Sequence, residues 1–173
     1  MGITKAHRPV KLIVGFIFKE EKAFDLAKVI LRKKFGEIDF ESQTLLFNHT
    51  DYYQKEFGRG LKRKFAGFKH LIPPQALPKI KTAANKIEKK LSSGTRRLIN
   101  IDPGYLDLSK LVLASTKDYK HRIYLDKGIY SEVTLFYQGK TFRPWEWTYP
   151  DYKSSEYIAI FNQIRNIYAG QIK

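Results

Sequence analysis

The chain contains no cysteine. A disulfide-stapled fold, a thiolate zinc site, an iron–sulfur cluster and a cysteine nucleophile are therefore excluded. Acidic residues are scarce: 17 Asp and Glu stand against 32 Lys and Arg, a formal charge of +15 on 173 residues. Long apolar runs are missing too. The longest, residues 12–18, is far too short to span a bilayer, and no apolar run behind Met1 reads as a signal peptide. These absences lead to the expectation of a cytoplasmic protein with no membrane partner. The phosphate-binding loop G-x-x-x-x-G-K-[ST] is absent, as are G-x-G-x-x-G, G-x-S-x-G, H-E-x-x-H and the EF-hand loop. Gly58-Arg59-Gly60 lacks the third glycine of a dinucleotide fingerprint, and the four histidines are far apart in sequence.

Apolar residues make up 43% of the chain and aromatics 14%, which excludes a disordered polypeptide. No repeat, linker or low-complexity segment divides it, so residues 1–173 read as a single domain. The positive charge is spread along the sequence rather than held in a tail. It gathers at Arg32-Lys33-Lys34, at Arg59 and Lys62-Arg63-Lys64, along residues 79–90, at Arg96-Arg97 and over residues 117–122. Such a surplus attracts polyanions, or it is simply a solvated basic surface.

Residues 10–18 are apolar at nearly every position, the pattern of a central strand buried on both faces. Residues 19–35 follow with Phe24, Ala27, Leu31 and Phe35 at helical spacing, closed by Gly36. Residues 37–47 read as an interrupted strand, 50–63 as a loop or short helix, and 64–71 as a short strand. Pro78 opens a second helix, whose apolar stripe is Leu77, Ile80, Ala84, Ile87 and Leu91. Residues 97–102 form a strand running into a turn at Pro103-Gly104, and Asp107 is placed to cap a short helix carrying Leu108, Leu111, Val112 and Ser115. A hairpin follows, with its turn at Asp126-Lys127-Gly128, then a second turn at Gln138-Gly139-Lys140 into a strand over 141–147. A last helix is capped by Ser154 or Ser155. The order to Asp102 is that of a split βαβ fold. The expected architecture is thus α+β: a two-layer sandwich with a ferredoxin-like βαββαβ core, extended by a C-terminal β-hairpin and a closing helix.

Four polar segments beside strands and turns carry the candidate chemistry: residues 51–58, 100–105, 115–122 and 145–152. Dense polar groups flanked by apolar strands often line a cleft. Asp102, Asp118, His121 and Arg122 are expected to face it, with Asp51 and Glu56 at its rim. Arg122 has the planar fork that takes phosphate or carboxylate oxygens in pairs, and Lys117 supplies a point charge. His121 is the candidate for proton transfer near neutral pH, with Asp118 beside it. The carboxylates would also suit a hard cation such as Mg²⁺. Each group has a plainer reading: turn formation for Asp102, a helix cap for Asp51, an Asp118–Arg122 pair shaping a turn, and packing for Trp145, Trp147, Tyr149 and Tyr152.

These segments resemble a bacterial family of unknown function. Its members carry T-D-Y-Y-x-x-E-x-G, N-x-D-P-G-Y-L, T-K-D-Y-x-H-R-I-Y-L and Y-x-E-V-T-L stretches and a P-W-x-W-T-Y-P-D-Y-like ending, matched here by residues 50–58, 100–106, 116–125, 130–135 and 144–152. Members are sometimes labelled GTP-binding. A P-loop and an N/T-K-x-D element would support that label; the first is missing, and Thr116-Lys117-Asp118 lacks the intervening residue. What the resemblance implies is that Asp51, Glu56, Asp102, Lys117, Asp118, His121 and Arg122 lie in family motifs. The leading expectation is binding, with or without turnover, of a small phosphate-bearing ligand such as a nucleotide. An RNA- or DNA-binding module and an interaction domain without chemistry are the alternatives.

Overall fold

A computed structural model describes residues 2–48, 53–94 and 96–173. Strand β1 (Val10–Phe18) is buried at all nine positions. It is followed by α1 (Glu21–Phe35), β2 (Ile38–Glu41), β3 (Leu45–Phe47), the short helix α2 (Gln54–Phe57), β4 (Leu61–Ile72) and α3 (Leu77–Lys90). Then come β5 (Ile99–Leu106), β6 (Lys110–Ser115), β7 (Ile123–Asp126), β8 (Ile129–Gln138), β9 (Thr141–Pro144) and α4 (Ser155–Gln171). All strands of the described residues join one antiparallel sheet in the order β2-β4-β1-β5-β6-β8-β7, with β3 on β4 and β9 on β8. The fold is α+β.

The layering departs from the two-layer expectation, because β1 is apolar on both faces and each face needs a cover. Leu12, Val14, Phe16 and Phe18 pack with Phe24, Ala27 and Leu31 of α1 and with Ile80, Ala84 and Ile87 of α3. Phe16 and Phe18 each lie 5.1 Å from the ring of Phe24. On the other face, Ile13 and Phe65 pack under α4, where Phe65 meets Tyr157 at 4.8 Å and Phe161 at 5.0 Å. The helices therefore sandwich the sheet. Local signals explain the ends. Gly36 closes α1 at φ 95°, and a Cβ there would stand 2.2 Å from His70 Nδ1. Ser154 caps α4 by accepting from Tyr157 N–H.

Three expected elements differ. The helix placed after Asp107 is strand β6: Leu111 and Leu113 enter one core and Val112 and Ala114 another, a period of two. Asp107 shapes the hairpin turn instead, its Oδ1 accepting from the N–H groups of Ser109 at 2.7 Å and Lys110 at 2.9 Å. The turn at Pro103-Gly104 is the interior of β5. The short strand at 64–71 begins earlier, at Leu61, and runs for 12 residues. No helix of the described residues is long and apolar enough to cross a membrane.

Candidate functional site

The site begins where two neighbouring strands part. Among the described residues β5 pairs with β6 through Gly104, Tyr105 and Leu106. Before that point β5 stays with β1, while Ala114 and Ser115 of β6 stay with β8. Gly104 marks the closest approach: a Cβ on it would meet Val112 O at 2.4 Å. Pro103, next to it, has no N–H to donate to a ladder. The wedge so opened holds a cavity of about 640 Å³.

Its floor is built from the strand register. Arg63 and Asn100 flank Ile17 on the two sides of β1, and Asp102 stands opposite Gly15. Asp102, with a side chain 26% exposed, accepts from Lys81 Nζ at 3.2 Å and from Asn100 Nδ2 at 2.6 Å. Lys81 reaches in from α3 and also donates to Ile101 O at 3.0 Å. Arg63 is 1% exposed. Its Nη2 donates to Tyr152 Oη at 2.6 Å, its Nη1 lies 3.9 Å from Asp102 Oδ2, and its Nε has no hydrogen-bond partner among the described residues. The guanidinium lies 4.7 Å over the Phe65 ring and 5.3 Å over Tyr152.

Arg97 and Arg122 brace the walls. Arg97 holds Glu56 through two bonds, Nε to Oε1 at 2.7 Å and Nη2 to Oε2 at 2.6 Å, and donates to Glu88 Oε2 at 3.0 Å. These bonds hold Glu56 below the ordinary carboxylate range, whereas burial pushes the Glu88 carboxyl up. Arg122 donates to Glu132 at 2.8 Å, to Ser115 Oγ at 2.8 Å, to Lys117 O at 2.9 Å and to Tyr149 Oη. Burial raises the phenols of Tyr53, Tyr149 and Tyr152, so all three keep their O–H at neutral pH.

All four polar segments reach the cavity wall, through Tyr53, Asn100, Ser115 and Tyr149 among others. Of the residues singled out by sequence, Asp102, Lys117 and Arg122 line it. Glu56 lies behind Arg97. Asp118 is exposed and outside the lining. His121 is also outside it, its ring 6.1 Å from Tyr119 and 5.8 Å from Trp147, with Nε2 3.2 Å from Glu132 Oε2. Asp51 lies outside the described residues. The guanidinium of Arg122 is committed to protein partners, chiefly Glu132 rather than Asp118, so the paired grip on a ligand is not available to it in this arrangement. Among the described residues no group of three or more His, Asp and Glu is placed to hold a metal ion.

Sequence reasoning missed Arg63, Lys81, Glu88, Arg97 and Glu132. Arg63 and Lys81 sit inside basic runs that read as surface. The available signal for Arg63 was Gly15, a glycine in the middle of an apolar strand, which marks a close approach. For Glu132 it was a carboxylate two residues from Thr134 on a strand, facing the same way.

The arrangement defines a class: an α+β protein with helices on both faces of a nine-stranded antiparallel sheet and a charged, aromatic-walled cleft where the sheet divides. The family model for the domain of unknown function DUF4416 matches residues 8–168, and the chain belongs to that family. No curated protein and no solved structure matches it.

Proposed function

We propose that the cleft binds a small phosphate-bearing ligand such as a nucleotide. The observation that carries this reading is the convergence of four polar segments on one concavity of about 640 Å³, a volume suited to a ligand of that size. Lys81 and Lys117 are point charges in its wall, and the protonated phenols of Tyr149 and Tyr152 are donors whose oxygens are already engaged by arginines. Asp118 and His121 stand outside the lining, so the reading is one of binding, without an assigned proton-transfer step. A thermal-shift screen of nucleotides and sugar phosphates, with and without Mg²⁺, tests it. The expected result is a ligand that raises the melting temperature of the wild type and does so less for Lys117→Ala. If no phosphate compound shifts the wild type, the reading fails.

A second reading, nucleic-acid binding, draws on the +15 charge and on the exposed Lys79, Lys86, Lys89 and Lys90 along the outer side of α3.

A further inference from the structure

The charges around the cleft restrict what it can hold. Among the described residues five cations line it, Arg63, Lys81, Arg97, Lys117 and Arg122, against four carboxylates, Glu88, Asp102, Glu132 and Asp151. Most of this charge is already compensated locally. Arg122 and Glu132 form a buried pair at 2.8 Å. Arg97 has two carboxylates, Glu56 at 2.6 Å and Glu88 at 3.0 Å. Lys81 and Arg63 share Asp102, at 3.2 Å and 3.9 Å. A ligand bearing several negative charges would meet four carboxylates with little free positive charge to offset it.

Arg63 stands apart from Lys81, Arg97 and Arg122. It is the most deeply buried, its ion pair is the longest, and its side chain makes a single hydrogen bond among the described residues, to the neutral phenol of Tyr152. Asp151 and Asp102 both act on its charge, so what is left over is a hydrogen bond: its Nε is buried and unpaired among the described residues, and one additional acceptor would complete it. Its position is built rather than incidental. The side chain crosses β1 over Gly15, where a Cβ would stand 3.0 Å from Nη2, and is backed by Phe65 and Tyr152. The wall also carries the rings of Phe47, Tyr53, Tyr119 and Tyr149, among aliphatic and polar residues such as Ile17 and Asn100.

We infer that Arg63 is the anion-reading group of the cleft, and that the group it reads is a monoanionic oxyanion, a phosphodiester or a carboxylate, on a body carrying an aromatic ring. The inference rests on the cleft being the site of a small anionic ligand, the class to which the proposed phosphate-bearing ligand belongs, and narrows the anion's charge. A carboxylate that binds better replaces the phosphate part of that reading, and nucleoside triphosphates fall outside it.

The test is isothermal titration calorimetry of the full chain at low salt without metal. The probes are 3′,5′-cyclic AMP for the phosphodiester, indole-3-acetate for the carboxylate, and AMP and ATP for higher charge. One of the two monoanions binds, and the better one identifies the source; ATP binds at least tenfold more weakly. Arg63→Met, which keeps an apolar body in the aromatic cage, lowers the monoanion affinity at least tenfold. If that variant does not fold by circular dichroism, Gly15→Ala carries the test: it keeps the guanidinium, displaces it, and gives the same loss. ATP binding tighter than either monoanion overturns the charge limit and leaves the small-anion site standing. Monoanion affinity unchanged in Gly15→Ala and in folded Arg63→Met overturns the role of Arg63. Binding by none of the four probes removes the small-anion reading itself and this inference with it.

Discussion

Gly15 and Arg63 are one structural unit. The guanidinium of Arg63 crosses β1 at the position that has no Cβ, and an added Cβ would lie 3.0 Å from its Nη2 and 3.2 Å from Phe65 Cε1. Gly15→Ala overpacks this site and is expected to destabilise the protein by about 1–3 kcal/mol, since inserted methyl groups force shifts in a filled core. Gly170→Ala, in α4 with nothing within 4 Å of the new Cβ, is the control. It is expected to be neutral or to stabilise by up to about 1 kcal/mol through helix propensity. Urea denaturation of both variants checks the contrast. Equal effects would dissolve the Gly15–Arg63 relationship.

Arg122 and Glu132 form a buried pair, with side chains 2% and 1% exposed. Removing one partner leaves the other charge buried and uncompensated, at a cost of about 3–5 kcal/mol. Glu132→Ala is therefore expected to lose stability on that scale, and Glu132→Ala with Arg122→Ala to lose less than the two single losses together. Asp118→Ala, at an exposed position outside the pair, is expected to stay within about 0.5 kcal/mol of wild type. A double-mutant cycle with zero coupling between Arg122 and Glu132 would contradict the pairing.

Arg97 joins two carboxylates whose pH dependences have opposite sign. Glu56 is held below its ordinary 4.5 by hydrogen bonds from Arg97, so its contribution is present above that value and is lost as pH falls through the folded-state pKa. Glu88 is raised above the same value by burial, so the native state binds its proton more tightly and stability declines as pH rises through its folded pKa. Relative to wild type, the loss in Glu56→Gln should grow from pH 3 to pH 7, and that in Glu88→Gln should shrink over the same interval. Thermal melts across this range measure both slopes, and parallel slopes would refute the assignment.

Binding to generic nucleic acid, if measured, should be weak and salt-sensitive. Exposed lysines on α3 offer phosphate attraction, and the aromatic rings beside the cleft are stacked on one another, Trp145 on Trp147 at 5.1 Å and Trp147 on His121 at 5.8 Å. Oligonucleotide titrations at several salt concentrations should show affinity falling steeply with salt and little changed by base sequence. Selective binding that is indifferent to salt would count against this picture.

Local chemistry determined much from the sequence alone. The nearly unbroken apolar run of β1, the 3.6-residue stripes of α1, α3 and α4, Gly36 as a stop and the Gly-containing hairpin turn are properties of neighbours in the chain, and each element forms where those neighbours place it. The class α+β follows from their order. Short runs were less legible: residues 108–115 offer too few apolar positions to separate a period of two from one of 3.6, and the hairpin contacts to β5 and β8 decide for a strand. The side of the sheet taken by α4 was likewise set at a distance, because the second apolar face of β1 and the ring of Phe65 required a cover.

The cleft divides in the same way. Its four polar segments stand out in the sequence as clusters of hydrogen-bonding residues beside apolar strands. What each residue does there was decided by tertiary structure. Arg63 reads as the middle of a basic triplet, but strand alternation turns it to the α4 face while Lys62 and Lys64 lie on the α1 face, paired with Glu21 and Glu41. Lys81 reads as one of many helix lysines until α3 packs beside the parting of β5 and β6. Arg122 reads as a ligand clamp until β8 brings Glu132 to its Nε. The sequence determines which charges exist; which of them are spent on one another depends on distances that only the packed sheet fixes.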